Sequence, residues 1–210
     1  MIYYGNPCNE KVKDAISAGT IGCITQPGQR NVTFPEEWDM IADNGCFSNK
    51  WNHQHWLNWM TELPRQMRFM VAPDVFHKDG TECHEATVEK WNYYAPIIER
   101  HGFTPAFVCQ IGCTPDNMPD AEAYFLGGTT EWKIGEPAQL VSKEAKRRGA
   151  WLHMGRVNSL KRLRIAASFE CDSVDGTYLT YGPDKNLPLL TKWMNMVNEE
   201  IRKGETHGNI

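Results

Sequence analysis

Eight short apolar runs punctuate the chain, and most are separated by segments whose apolar residues recur every three to four positions. The runs are IYYG (2–5), IGCIT (21–25), MIAD (40–43), FMVAPD (69–74), AFVCQI (106–111), AYFLG (123–127), WLHMG (151–155) and SVDG (173–176). Short, nearly continuous apolar stretches of this kind read as strands buried on both faces. Residues 9–19, 51–63, 86–102, 136–149, 159–170 and 186–202 carry the helical spacing. Their ends carry helix signals: a glycine stop at Gly19, Pro137 one residue into the fourth, and Asn158 or Ser159 as N-cap of the fifth. Two connections, 26–39 and 112–121, are rich in Pro and Asn and read as loops.

Eight strands alternating with helices predict an α/β protein, a compact (β/α)8 TIM-type barrel formed as a single domain over residues 1–210. A doubly wound open sheet, with a strand or two misplaced, is the alternative. At 210 residues the chain sits near the lower end for such a barrel, so short or missing outer helices are expected.

Composition narrows the function classes. Hydrophobic residues at 41% and charged residues at 23% are the balance of an ordinary soluble globular protein. The net charge of −4 offers no global attraction for nucleic acid, so any such binding must use a local basic patch. No apolar stretch approaches the roughly 20 residues of a membrane span. The start MIYYGNPCNEK lacks the basic, then apolar, pattern of a secretory signal, which points to the cytoplasm. Seven cysteines without compact pairing read as free thiols, several in strands. Cys109 and Cys113 are too widely spaced for a compact zinc knuckle, and His53 and His55 fall on different faces of a helix, so no metal site is expected. Trp51, Trp56, Trp59 and Trp91, at helical spacing, read as core or interface.

The chemistry gathers where the runs end. Parallel strands would bring Asp43, Asp74, Gln110, Gly127 with Gly128, Met154 and Asp175 to one rim, where barrels place their active sites. Asp43 before Asn-Gly, and Asp175 before Gly, are equally suited to turns. On one rim, the two carboxylates suit displacement at an anomeric carbon, one attacking while the other moves a proton. Asp74 could accept from the N–H edge of a purine-like ring, or begin a turn. Gln110 is an amide inside an apolar strand that must find partners, which a base edge offers. Gly127 and Gly128 would let backbone approach a flat ligand. Met154 suits the floor of such a pocket and suits a core equally well. Arg156, Lys161, Arg162 and Arg164, with the KEAKRRG segment, are the candidates for a phosphate-contacting face, or else solvated helix charges.

In this order the strand ends resemble the tRNA-guanine transglycosylase superfamily, and more closely its phage and bacterial branch, the 7-deazapurine DNA transglycosylases. IADNGCF resembles that family's Asp-Ser-Gly-Gly motif, VCQIG its Val-Gln-Gly-Gly segment, and FLGGTTEWKIGEP its Gly-Leu-Ser-Val-Gly-Glu-Pro region. HMGRVNSLKRLRIAASFECDSVDGT resembles its Leu-Met-Gly-Val-Gly, helix, Phe-Asp-Cys series. The resemblance runs from Ile41 to Lys185 and implies roles: Asp175 as nucleophile and Asp43 as general acid/base. Asp74, Gln110, Gly127, Gly128 and Met154 would surround the base. Asn44 and Cys46 depart from the motif, standing where the family has serine and glycine. Nothing after Lys185 resembles the zinc-binding subdomain of the tRNA enzymes, which favours DNA over tRNA as acceptor.

The expected activity is exchange of guanine in DNA for a free 7-deazaguanine base through a covalent aspartyl-glycosyl intermediate, without cofactor or metal. The setting would be the host cytoplasm if the protein is a phage's. Exchange in tRNA, or hydrolysis by water, would use the same site; a non-catalytic purine or nucleic-acid binding barrel is the alternative of another kind. The oligomeric state is left open by the sequence.

Overall fold

The computed structural model describes residues 1–29, 33–47, 51–77, 79, 81 and 83–204. Its centre is a closed barrel of eight parallel strands in sequence order, each paired with its two neighbours, and β8 closing on β1. The strands are β1 (Ile2–Gly5), β2 (Gly22–Thr25), β3 (Met40–Ala42), β4 (Met67–Val71), β5 (Pro105–Cys109), β6 (Ala123–Leu126), β7 (Trp151–Met154) and β8 (Ser173–Asp175). All eight apolar runs are therefore strands, and the open-sheet alternative falls. The fourth ends at Val71, leaving Asp74 on the loop beyond it.

Among the described residues seven helices surround the barrel: α1 (Glu10–Ser17), α2 (His53–Thr61), α3 (His84–Arg100), α4 (Thr130–Lys133), α5 (Glu136–Arg147), α6 (Leu160–Ser168) and α7 (Pro183–Lys203). Their ends follow from the local sequence. Asn9, Asn52 and Ser159 each accept a backbone N–H from the first turn of α1, α2 and α6. Helix α7 stops at Gly204, whose φ of 70° only glycine adopts readily. No helix links β5 to β6, where residues 112–121 form turns. None is seen among the described residues between β2 and β3, and residues 30–32 of that expected loop lie outside the description. The layer is thus incomplete, as the short chain required. The sequence spacing did not foresee the single turn of α4.

Strand alternation divides the core into two layers. Tyr4, Ile41, Phe69, Val71, Ala106, Val108 and Ala123 fill the barrel interior. The residues between them, including Met40, Met70, Phe107, Tyr124, Leu152 and Met154, join the layer that packs with Trp56, Trp91 and Ile98 of the helices. The seven cysteines form no disulfide with one another. No helix among the described residues is long and apolar enough to cross a membrane.

Candidate active site

Because every strand runs the same way, all eight C-terminal ends open onto one rim. There a cavity of about 420 Å³ is lined by Asp43, Asp74 and Asp175, by Phe125, and by Arg156 and Gly128. Ile24, Val71 and Val108 supply further apolar wall, and Phe47 and Phe76 also line it. The cavity is large enough for a drug-sized or nucleoside-sized ligand.

The three carboxylates stand in different electrostatic settings. Burial would raise the pKa of Asp175, but its partners outweigh that and hold it below the usual carboxylate range. His153 Nε2 lies 2.9 Å from Asp175 Oδ2, the Arg156 backbone N–H donates to Oδ1 at 3.0 Å, and the Lys133 ammonium adds its charge. Asp43 is pushed the other way, up to about 7, by burial first and then by the charge on Asp175. The Gly45 and Asn44 N–H groups offset only part of this. Asp74 is also raised by burial, partly countered by the Asn44 amide. At neutral pH one rim carboxylate is firmly ionised while another is poised to exchange a proton, the division of labour that acid–base chemistry needs.

Struts behind the cavity fix these groups. Asn44, 3% exposed, donates to Ala72 O at 2.7 Å and to Asp74 Oδ1 at 3.0 Å, while its own Oδ1 accepts from Cys46 N at 2.7 Å. An asparagine where the resembled motif has serine thus ties Asp43's loop to Asp74. His153 is fully buried inside the barrel and stacks on Phe125, with ring centroids 4.8 Å apart. Its Nδ1 meets Ser173 Oγ at 2.8 Å, and that oxygen also accepts from Trp151 Nε1 at 2.8 Å. An ionised carboxylate can only accept, so Nε2 carries the proton that faces Asp175.

Of the positions singled out from sequence, Asp43, Asp74, Asp175, Gly128 and Arg156 meet at the cavity. The others lie elsewhere. Gln110 stands behind Asp74: its Nε2 donates to Val75 O at 2.5 Å, to Thr87 Oγ1 at 2.8 Å and, weakly, to Asp74 Oδ2 at 3.4 Å. Its Oε1 is buried without a partner. Gly127 allows β5 and β6 to approach, since a Cβ there would lie 2.8 Å from Val108 Cγ1. Met154 points outward into the helix-facing layer with no exposure, because the alternation of β7 turns His153 inward instead. Arg164 is tied to Glu200 of α7 at 2.7 Å, and Lys161 is exposed on α6. Arg162 donates to the Arg156 carbonyl at 3.2 Å.

Asn44, Phe125, Lys133 and His153, to which the sequence reading gave no role, also belong to the site. His153 carried the signal that drew attention to Gln110, a polar side chain inside an apolar strand that must be satisfied. Lys133 gave none, since lysines are rarely buried. It is 2% exposed, donates to Gly155 O at 2.7 Å, and is pushed down to about 7 by burial first and then by Arg156. Among the described residues no group of three or more His, Cys, Asp or Glu side chains is placed to hold a metal ion.

No known family's model matches the chain, and no curated protein matches it. Solved structures do. A chain of the Amycolatopsis orientalis BexX/CysO complex shares 14% identity with a TM-score of 0.57, over 96% of this chain and 91% of that one. Tryptophan synthase from M. tuberculosis, in an open form with BRD0059 bound, shares 14% identity with a TM-score of 0.50, over 90% of this chain and 65% of that one. Its aminoacrylate-bound form gives 11% and 0.50, over 91% and 89%. The protein is thus of the eight-stranded parallel α/β barrel class. At these identities the likeness is one of fold alone.

Proposed function

We propose that the protein is a transglycosylase that exchanges guanine in DNA for a 7-deazaguanine base. The observation that carries this reading is the pairing of Asp175, held ionised, with Asp43, raised to about 7, on the wall of one cavity. A displacement at C1′ needs such a pair, and simple binding does not. The resemblance of the strand-end series to the tRNA-guanine transglycosylase superfamily supplies the reaction class.

In the first half-reaction Asp175 attacks C1′ of a guanine nucleotide turned out of its stack. The C1′–N9 bond breaks, its electron pair leaves with guanine, and Asp43 supplies the proton that neutralises the departing base. In the second half the free deazapurine loses its N9 proton to Asp43 and attacks C1′, releasing the Asp175 carboxylate. Two inversions give net retention. Asp74, braced by Asn44 and Gln110, would accept from the N–H edge of the base, and Phe125 would offer it a flat apolar face. The backbone at Gly128 lies open to the ligand, and its φ of 69° favours glycine.

The test is exchange of labelled guanine into single-stranded DNA, double-stranded DNA and tRNA, followed by nucleoside mass analysis. Wild-type protein should label DNA, and Asp175→Asn should abolish the exchange. Full activity of Asp175→Asn sinks the proposal. Labelling of tRNA alone moves the acceptor, and release of free base without incorporation makes the enzyme a hydrolase.

A further inference from the structure

Four of the clustered cations have a carboxylate partner: Lys146 with Asp172, Arg147 and Arg148 with Glu144, Arg164 with Glu200. Lys143 and Lys161 have none and are exposed. Lys133, at the end of α4, Arg156, on the turn after β7, and Arg162, in the first turn of α6, are at least partly buried and also form no ion pair among the described residues.

All three are held against one short piece of backbone. Lys133 Nζ donates to the Gly155 carbonyl at 2.7 Å, and Arg162 Nη1 to the Arg156 carbonyl at 3.2 Å. Arg156 itself sits at φ 60°, unusual for a residue with a side chain. Its guanidinium donates to the Gly128 carbonyl and lies 4.6 Å over the Phe47 ring. The positive charges repel one another, and Lys133 is buried. Asp175 lies near enough to favour the charge on Lys133 and on Arg156, but no carboxylate among the described residues forms an ion pair with any of the three, and a ligand that brings the opposite charge would relieve their mutual repulsion. The corner after strands seven and eight is also where barrels of this kind commonly seat phosphate groups.

We propose that Lys133, Arg156 and Arg162 form a phosphate-binding site on the β7–α6 corner, beside the carboxylate cavity. The adjacency specifies which phosphate. Arg156 lines the cavity and gives its backbone N–H to Asp175. A nucleotide whose C1′ faces Asp175 has its 5′-phosphate one sugar away, within reach of the same residue. That this phosphate belongs to a nucleic-acid strand rests on the base-exchange reading; a sugar phosphate would present the same group. Lys161 and Arg164, though on the same helix, are not part of the site: the first is exposed and the second is occupied by Glu200.

The test measures binding with the whole chain, separately from turnover. Anisotropy of a fluorescein-labelled single-stranded oligonucleotide carrying one guanine gives affinity against salt. Calorimetry with inorganic phosphate and with ribose 5-phosphate covers the small ligands. Arg156→Gln and Arg162→Gln keep an amide donor for the backbone carbonyls while removing the charge, and circular dichroism checks that each is folded. Each should weaken oligonucleotide binding about tenfold and lower the slope of log K against log salt by about one. Lys192→Gln, an exposed change on α7, should do neither. If the oligonucleotide fails to bind wild-type protein but either small phosphate binds and is lost in both variants, the site stands and the nucleic-acid reading falls. Unchanged binding in both variants, or no binding of any of the three ligands to wild-type protein, overturns the site.

Discussion

His153 Nε2 lies 2.9 Å from Asp175 Oδ2, joining the last two strands of the barrel directly beneath the cavity. The contact keeps a buried carboxylate ionised, because an N–H donor replaces the water that burial removes. His153→Leu should therefore move the acidic limb of the exchange rate toward neutral pH. At neutral pH kcat should fall about ten- to a hundredfold, the loss of one hydrogen bond to a charged group. His153→Gln, which retains an N–H donor, should recover part of the rate. The measurement is kcat against pH for the three proteins, and an unmoved acidic limb in His153→Leu would show that the pair is only structural. The depressed Asp175 also stabilises the native state above the ordinary carboxylate pKa, an effect lost as pH falls through its native value.

Asp43 has the opposite sign. Its native pKa, about 7, lies above the 3.8 of an unperturbed carboxyl, so between those values the native state holds a proton that the unfolded chain releases. Stability contributed by this group falls as pH rises through that window. Asp43→Asn removes the penalty and should raise stability at both pH 5 and pH 8, by on the order of 2 kcal/mol more at pH 8, with little change only below about pH 4. Thermal unfolding at the two pH values measures this. The same change should remove the basic limb of exchange near pH 7 along with most of the activity, so the variant is more stable and less active.

The barrel was legible because its strands are buried on both faces and leave apolar runs that stand out between helical patterns. Asp43, Asp74 and Asp175 were legible for a related reason: each breaks or closes such a run. The sequence did not show which way each strand end faces. One residue of alternation separates Met154, directed to the helices, from His153, directed at Asp175. Gln110 was rightly marked as an amide needing partners, but Val75 and Thr87, remote in sequence, supply them. Lys133 became visible only when folding brought α4 against Gly155.

That alternation leads to a paired comparison. Met154 does not reach the cavity, so Met154→Leu, close in volume, should cost less than about 1.5 kcal/mol and leave the KM for the incoming deazapurine unchanged. Phe125 lines the cavity and offers the ring face that the resemblance assigned to Met154. Phe125→Ala should raise that KM about tenfold or more, the usual loss when a base forfeits an aromatic platform. Steady-state kinetics with varied base concentration separates the two. A large KM effect at Met154 and none at Phe125 would invert the assignment of the pocket floor.

Gly155 holds the remaining constraint. A Cβ there would stand 2.7 Å from Phe125 Cζ and 2.8 Å from Cε1, and 3.5 Å from Asp175 Oδ2. The ring has little freedom to retreat, because it is stacked on a His153 fixed by Ser173 and Asp175. Gly155→Ala should therefore destabilise the fold by about 1–3 kcal/mol, as overpacking does, and displace the Phe125–His153 stack that braces Asp175. Gly149→Ala is the control: its φ of 73° imposes backbone strain, but its Cβ would meet nothing within 4 Å. Strain alone costs a comparable amount, about 1–2 kcal/mol, without touching the cavity. Both variants should unfold at lower temperature, and only Gly155→Ala should lose kcat beyond its loss of folded protein. Equal activity per folded molecule in the two would place the importance of Gly155 in the fold rather than in the site.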